Sequence, residues 1–343
     1  MKKGQAPFKP RNCEIILNYD CNARCKFCYH PDAEAKAPER MSFADAAKAL
    51  YKGRREGCWI AYLIGGEITL RDDLPKIIRT AKELGYPYIQ VMSNALKLAD
   101  RAYTKTLVDA GANLFRISIH AHNAKLHDGQ VCVPGAFAKV LRAVENIRSL
   151  GAEATVNVAL NRHNFRYMDK WLELVSGRLG VTDFNIIFPH YKGMMAEHAA
   201  ELKVSLTESM PHLRRALLDL ARSGREVEGP LLINFCPCNL PEAVHLMGEW
   251  ERPDDPGSDD PLYYIEGDVD RVYEMKERFR VKNKGCARCV YNSRCMGFEK
   301  WYYDLFGGRE FRPVLKEAEP MPLPPSHRRL KEAQALLARK ARR

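Results

Sequence analysis

A chain of 343 residues, 46% hydrophobic and 28% charged, is long enough for one large globular domain or two modest ones and too apolar to stay disordered. It holds no run near the roughly 18 apolar residues of a membrane helix, and its start, MKKGQAPFKPRN, lacks the apolar stretch of a secretory signal, so the expected location is the cytoplasm, with no membrane span. The net charge of +11 is concentrated at one end: residues 326 to 343 carry seven Lys or Arg against one Glu and follow the proline-rich PMPLPP, which reads as a solvated or docking helix ahead of a nucleic-acid site.

From Cys13 to residue 190 the chain alternates β-type runs with amphipathic stretches, the pattern of successive βα units around a parallel sheet. The predicted strands are 13–19, 59–64, 88–93, 114–120, 153–160 and 182–188. Helices between them include SFADAAKALYKGRREG, capped by Ser42, and GAFAKVLRAVENIRSLG, closed by Gly151. Six units are too few for an eight-stranded barrel, so the expected class is α/β, a partial (β/α)6 TIM-type barrel with a wide mouth at the strand carboxyl ends. After residue 200 the pattern changes: a helix at 207–223, a Cys-Pro-Cys stretch, the acidic EWERPDDPGSDDP, a charged helix near 268–281 and a run of cysteines. This segment has few long apolar runs and should need the barrel or a metal to order it.

Eleven cysteines are many for a reducing compartment, and they cluster: three between Cys21 and Cys28, five between Cys236 and Cys295. Clustered thiols there suggest metal before disulfide. Cys21, Cys25 and Cys28 form a C-x3-C-x2-C run in the loop after the first strand. Three thiolates can hold one [4Fe-4S] cubane and leave one iron open, whereas purely structural or electron-transfer clusters take four.

At this point the chain resembles the radical S-adenosylmethionine superfamily, whose motif is C-x3-C-x2-C with an aromatic residue, here Phe27, before the last cysteine. The resemblance covers residues 12 to 190. It implies that Gly65, Gly66 and Glu67 meet the methionine end of S-adenosylmethionine, that Ser93, Asn94, Ser118 and His120 line its ribose and carboxylate, and that Asn157, Asn161 and Ile187 line the adenosine. It also implies the reaction: reductive cleavage of S-adenosylmethionine to a 5′-deoxyadenosyl radical, with an external one-electron donor such as flavodoxin or ferredoxin.

Cys286, Cys289 and Cys295 read C-x2-C-x5-C, with Cys236-Pro-Cys238 upstream. This resembles the auxiliary-cluster region of SPASM and twitch domains, except that Glu299 stands where a full SPASM domain has a further cysteine. The resemblance implies one auxiliary [4Fe-4S] cluster on Cys286, Cys289, Cys295 and one upstream thiol, Cys238 in preference to Cys236; a four-cysteine zinc knot is the alternative. The implied organisation is a radical core at 1–200, an auxiliary-cluster domain at 201–313 and a proline-rich linker with a basic helix at 314–343.

Three thiols remain. Cys13 and Cys58 border apolar strands as small buried hydrophobes. Cys132 lies between the fourth strand and the next helix, facing the mouth, where it is either a packed loop thiol or a hydrogen-atom donor to a substrate radical. The expected function is oxidation or cross-linking of a substrate, a peptide first, with the auxiliary cluster as electron acceptor. Dehydrogenation or epimerisation of a sugar or cyclitol, with Cys132 as donor, is the rival; a radical enzyme acting on nucleic acid and an iron-sulfur carrier or zinc-stapled binding module stand behind it.

Overall fold

Six runs rich in β-branched and aromatic residues form the parallel strands β1 (Asn12–Ile16), β2 (Ile60–Ile64), β3 (Tyr88–Ser93), β4 (Leu114–Ser118), β5 (Glu153–Ala159) and β6 (Phe184–Ile187). The computed structural model describes residues 11–29, 40–248, 250–251, 259–329, 331–332 and 335. Each predicted strand is present, shorter by up to three residues. Helices α1 (Phe43–Arg55), α2 (Leu74–Glu83), α3 (Arg101–Ala110), α4 (Ala124–Val131) and α5 (Ala136–Ser149) lie among them. Their apolar residues recur at helical spacing: Leu74, Ile77, Ile78 and Ala81 on α2, and Val140, Ala143, Val144 and Ile147 on α5, are buried. Ser42 caps α1 by accepting from the Asp45 amide (3.1 Å), and Gly151 follows α5 with φ +78°, a conformation open to glycine at little cost.

The sheet goes beyond the six expected strands. Four short strands, β7 (Leu232–Ile233), β8 (Met247–Gly248), β9 (Pro261–Tyr263) and β10 (Val269–Arg271), bring it to ten in the order β10-β9-β1-β2-β3-β4-β5-β6-β7-β8. All pairings are parallel except β9 with β10. The chain after residue 200 thus flanks the barrel sheet on both sides. A separate pair, β11 (Arg280–Val281) and β12 (Phe298–Glu299), carries the cysteine-rich segment.

One expectation changes. The helix at 207–223 is present as Leu206–Arg222, but 268–281 is not one charged helix. Only Val272–Arg278 is helical, because Val269–Arg271 pairs with β9 and Arg280–Val281 pairs with β12, and ladder bonds outweigh charge pattern. The basic tail does dock, at least where it begins. Ser326 donates through its amide to Val227 O (2.8 Å) and through its hydroxyl to Glu228 (2.6 Å). Arg329 pairs with Asp183, which also holds Arg116 (3.1 Å), and with Glu153 (2.7 Å). These acids stand at the amino ends of β5 and β6, the face opposite the mouth. Residues 336–343 and most of the acidic 249–258 stretch lie outside the described residues. No helix among the described residues is long and apolar enough to cross a membrane.

Candidate active site at the barrel mouth

The loop leaving β1 carries Cys21, Cys25 and Cys28, all half-buried and none in a disulfide. Neighbouring elements fix its path. Arg24 N and Lys26 N donate to Val131 O and Gln130 O at the end of α4 (3.2 and 3.0 Å), Met195 N donates to Cys28 O (3.0 Å), and Cys28 N closes a turn on Cys25 O (3.0 Å). Burial pushes the Cys21 thiol up to about 11 and Cys25 well above its usual range. Uncharged at neutral pH, these thiols lose their protons when iron binds. Three soft donors on a pinned loop, without a fourth cysteine in the run, fit a cubane with one iron left open.

The loop after β2 lies directly on this one. Gly66 N donates to Asn18 O and Glu67 N to Asp20 O (both 2.8 Å). A Cβ on Gly65 would sit 2.5 Å from Asn18 O, and one on Gly66 2.4 Å from Asp20 O, so only glycine permits the approach. Glu67 is fully buried. Its carboxylate accepts from Thr69 Oγ1 (2.6 Å), Ser93 Oγ (2.8 Å) and Asn94 N (2.7 Å), and burial nonetheless raises its pKa. It therefore clamps the β2 loop to the end of β3. Asn94 extends the clamp through Nδ2, which donates to Asn22 Oδ1 (2.7 Å) and reaches Cys21 Sγ (3.8 Å).

Across the mouth, Ser118 and Asn157 are register partners on β4 and β5. The Phe27 ring lies 4.1 Å from that of His120, whose Nδ1 accepts from Ala159 N (3.2 Å) and whose pKa burial lowers. Asn161 is committed elsewhere: it donates to Gln130 (2.7 Å) and accepts from His163 N (2.9 Å). Ile187 ends β6, half-buried. Cys132 is the left-handed residue ending α4, exposed, and beside the cysteine loop through the Val131 and Gln130 contacts. Cys13 and Cys58 are fully buried, as expected of small hydrophobes.

The second cysteine set converges. Cys236, Cys238, Cys286, Cys289 and Cys295 line one cavity, closed by Phe298 and Phe311, which stack 3.4 Å apart. Cys236 is buried and its thiol donates to Gly297 O (3.0 Å), while Gly297 N donates to Cys295 Sγ (3.3 Å). This polarity, together with the bond from Cys236, draws Cys295 down to about 6 and leaves Cys236 protonated. Burial pushes Cys238 up to about 12. Five thiols spread around one cavity suit a cluster.

A polar chain that sequence reading missed runs from the second site to the loop after β6. Arg280 donates to Gly297 O and Asn234 Oδ1 (both 3.2 Å), Asn234 Nδ2 contacts His190 Nε2 (2.9 Å), and His190 Nδ1 pairs with Glu299. His190 follows β6 by three residues, so its place after an apolar strand was the available signal. Glu299 thus stands at the barrel mouth as a partner of His190.

The profile of the Radical SAM superfamily matches residues 15–175. A probable GTP 3′,8-cyclase of Saccharolobus solfataricus is 32% identical over 181 residues, which cover 52% of this chain and 57% of that protein; the chain thus matches little more than half the length of this relative. In fold it is similar to Streptococcus suis SuiB bound to its precursor peptide SuiA (TM-score 0.66, 13% identity, 89% of this chain and 75% of that one). It is also similar to anSMEcpe with bound AdoMet (TM-score 0.61, 15% identity, 88% and 96%). Over residues 15–175, its barrel, the chain matches the Radical SAM superfamily, and in fold it is similar to SuiB and anSMEcpe.

Proposed function

We propose that this chain oxidises or cross-links a substrate, a peptide in the first instance, with Cys21, Cys25 and Cys28 holding the cluster that binds S-adenosylmethionine and Cys238, Cys286, Cys289 and Cys295 holding an auxiliary cluster. The observation that carries the reading is that a polar chain runs from the second cysteine set through Gly297, Arg280 and Asn234 to His190 in the loop after β6, whose ring lies 5.8 Å from that of Tyr29, the neighbour of Cys28. When bound, the first cluster with S-adenosylmethionine supplies a hydrogen-abstracting 5′-deoxyadenosyl radical, and the second supplies an acceptor for the electron that the substrate gives up.

The chain's own residues orient and shield. Glu67, Ser93 and Asn94 fix the loops on which the cosubstrate's methionine end would rest. Phe27, within the cysteine loop, packs its ring on that of His120 after β4, an apolar contact that would limit water there. Gly65, Gly66, Ser118 and Asn157 complete the proposed contacts with S-adenosylmethionine. The protein works in the cytoplasm with a one-electron donor of the flavodoxin or ferredoxin kind. Resemblance in fold to SuiB and anSMEcpe supports a peptide substrate, but a small metabolite is the alternative class.

The test is anaerobic turnover of the reconstituted protein with S-adenosylmethionine, reductant and candidate peptides. The expected product is lighter by two hydrogens, and this loss persists in Cys132→Ala. The exposed position of Cys132 beside the cysteine loop favours one rival, an epimerase that returns a hydrogen atom from that thiol. Solvent deuterium at an inverted carbon, lost in Cys132→Ala, would establish that rival and overturn the oxidative reading.

A further inference from the structure

Lys192 sits in the loop after β6, at the carboxyl end of the sheet where ligands bind in folds of this kind. Three residues on, Met195 N is bonded to Cys28 O (3.0 Å), so the loop is tied to the first cysteine site. The Lys192 ammonium lies 5.3 Å from the centre of the Tyr29 ring and 5.1 Å from that of Trp301. Tyr29 follows Cys28, and Trp301 belongs to the auxiliary region, where it stacks on Phe279 (4.8 Å). The cation therefore hangs between the two sites. His190 closes the same wall, its ring 5.8 Å from Tyr29 and 6.5 Å from Trp301.

Aromatic faces stabilise a cation by about 0.5–2 kcal/mol but accept none of its three N–H donors in a full hydrogen bond. Lys192 is half-buried, and among the described residues no carboxylate lies within ion-pair distance of it. The acid that acts on it, Glu299, is bound to His190. Charges removed from water are ordinarily paired, and this one lies between two aromatic rings, one of which, Tyr29, is 43% exposed.

We infer that Lys192, gripped by Tyr29 and Trp301, is a subsite for an anionic oxygen group of the substrate, a carboxylate or a phosphate, carried next to an apolar or aromatic moiety. The inference rests on the proposed reading of the mouth as the substrate site and narrows its substrate class. A peptide would offer a side-chain or terminal carboxylate; a phosphorylated metabolite would offer phosphate.

The test reads Lys192 directly, without turnover. Anaerobically reconstituted protein with S-adenosylmethionine is pulsed with an acetylating ester, and acetylation is read by mass spectrometry at Lys192 and at exposed Lys139 of α5, across a titration of N-acetylglycine or inorganic phosphate at constant ionic strength. The expected result is saturable protection of Lys192, at least about threefold, with Lys139 unchanged, lost when Trp301→Ala removes one jaw of the clamp. Protection by N-acetylglycine alone assigns a carboxylate, and by phosphate alone a phosphate. No protection by either anion, or equal protection of Lys139, overturns the subsite. Either result stands apart from the oxidative reading, which fails or holds on product mass.

Discussion

The barrel and the auxiliary region are held by different means. In the barrel, strands of four to seven residues pair in parallel, and eleven of the twelve largest fully buried side chains, from Ile15 to Phe184, lie there. Beyond the helix Leu206–Arg222, the auxiliary region has strands of two or three residues and helices of no more than seven, too short to persist alone. It leans on the barrel through aromatic contacts, Tyr302 against Phe188 (5.4 Å) and Phe306 against Tyr191 (5.7 Å), and through its cysteine cavity. The barrel is therefore expected to stand without metal, whereas the region around the second cysteine set is expected to take much of its order from what those cysteines hold.

Iron removal should separate the two regions most sharply. Anaerobic chelation, or Cys286→Ala with Cys289→Ala, is expected to raise amide exchange across 280–313 by at least about tenfold while β2 to β5 keep their protection. Uniform exchange in both regions would erase the contrast. On the barrel side, Asp183→Asn removes the acid that Arg116 and Arg329 share, leaving Arg116 without a carboxylate while Arg329 keeps Glu153, at a cost of about 3–5 kcal/mol. Burial pushes Asp183 upward, but Arg116 and Arg329 outweigh it, so its folded pKa is lowered. A lowered carboxyl stabilises above its unfolded value of about 3.9 and loses that contribution as pH falls through the folded value. The melting-temperature gap between wild type and Asp183→Asn should therefore be full at neutral pH and narrow in acid; a constant gap would remove the charge explanation.

Smaller effects sharpen the picture at each site. Glu67→Gln replaces an acceptor of four bonds by an amide with one oxygen, an expected loss of about 1–3 kcal/mol in loop stability and weaker S-adenosylmethionine binding in equilibrium dialysis, with the barrel intact. Gly66→Val should do more, since its side chain would strike the carbonyls of Tyr19 and Asp20 next to Cys21. Unchanged affinity in both would detach this loop from the cosubstrate. At the second site, Cys238→Ala is expected to lose more iron than Cys236→Ala, whose thiol is already engaged by Gly297 O. The reverse order in iron analysis would assign Cys236 as the ligand.

What was legible in the sequence follows the same division. The six barrel strands announce themselves because each is a run rich in β-branched and aromatic residues between turn residues, and the three-cysteine loop because ligand spacing is local. Strands β7 to β10 carry no such signal: Leu232–Ile233 or Val269–Arg271 is too short for periodicity, and only a neighbouring strand makes it a strand. Docking of Arg329 on Asp183 joins residues 146 apart, which no local pattern encodes. The chain from Arg280 through His190 to Glu299 was invisible for the same reason, although the sequence did mark Glu299 as out of place among cysteines.

The central claim is that two cysteine sets do separate work at one mouth. It is tested most directly by converting Cys21, Cys25 and Cys28 to Ala and measuring iron, the spectroscopic signature of each cluster and 5′-deoxyadenosine together. The expected variant falls from about eight to about four iron atoms, keeps the signal of the second cluster and forms no 5′-deoxyadenosine. Continued cleavage of S-adenosylmethionine, or loss of all iron together, would contradict the account.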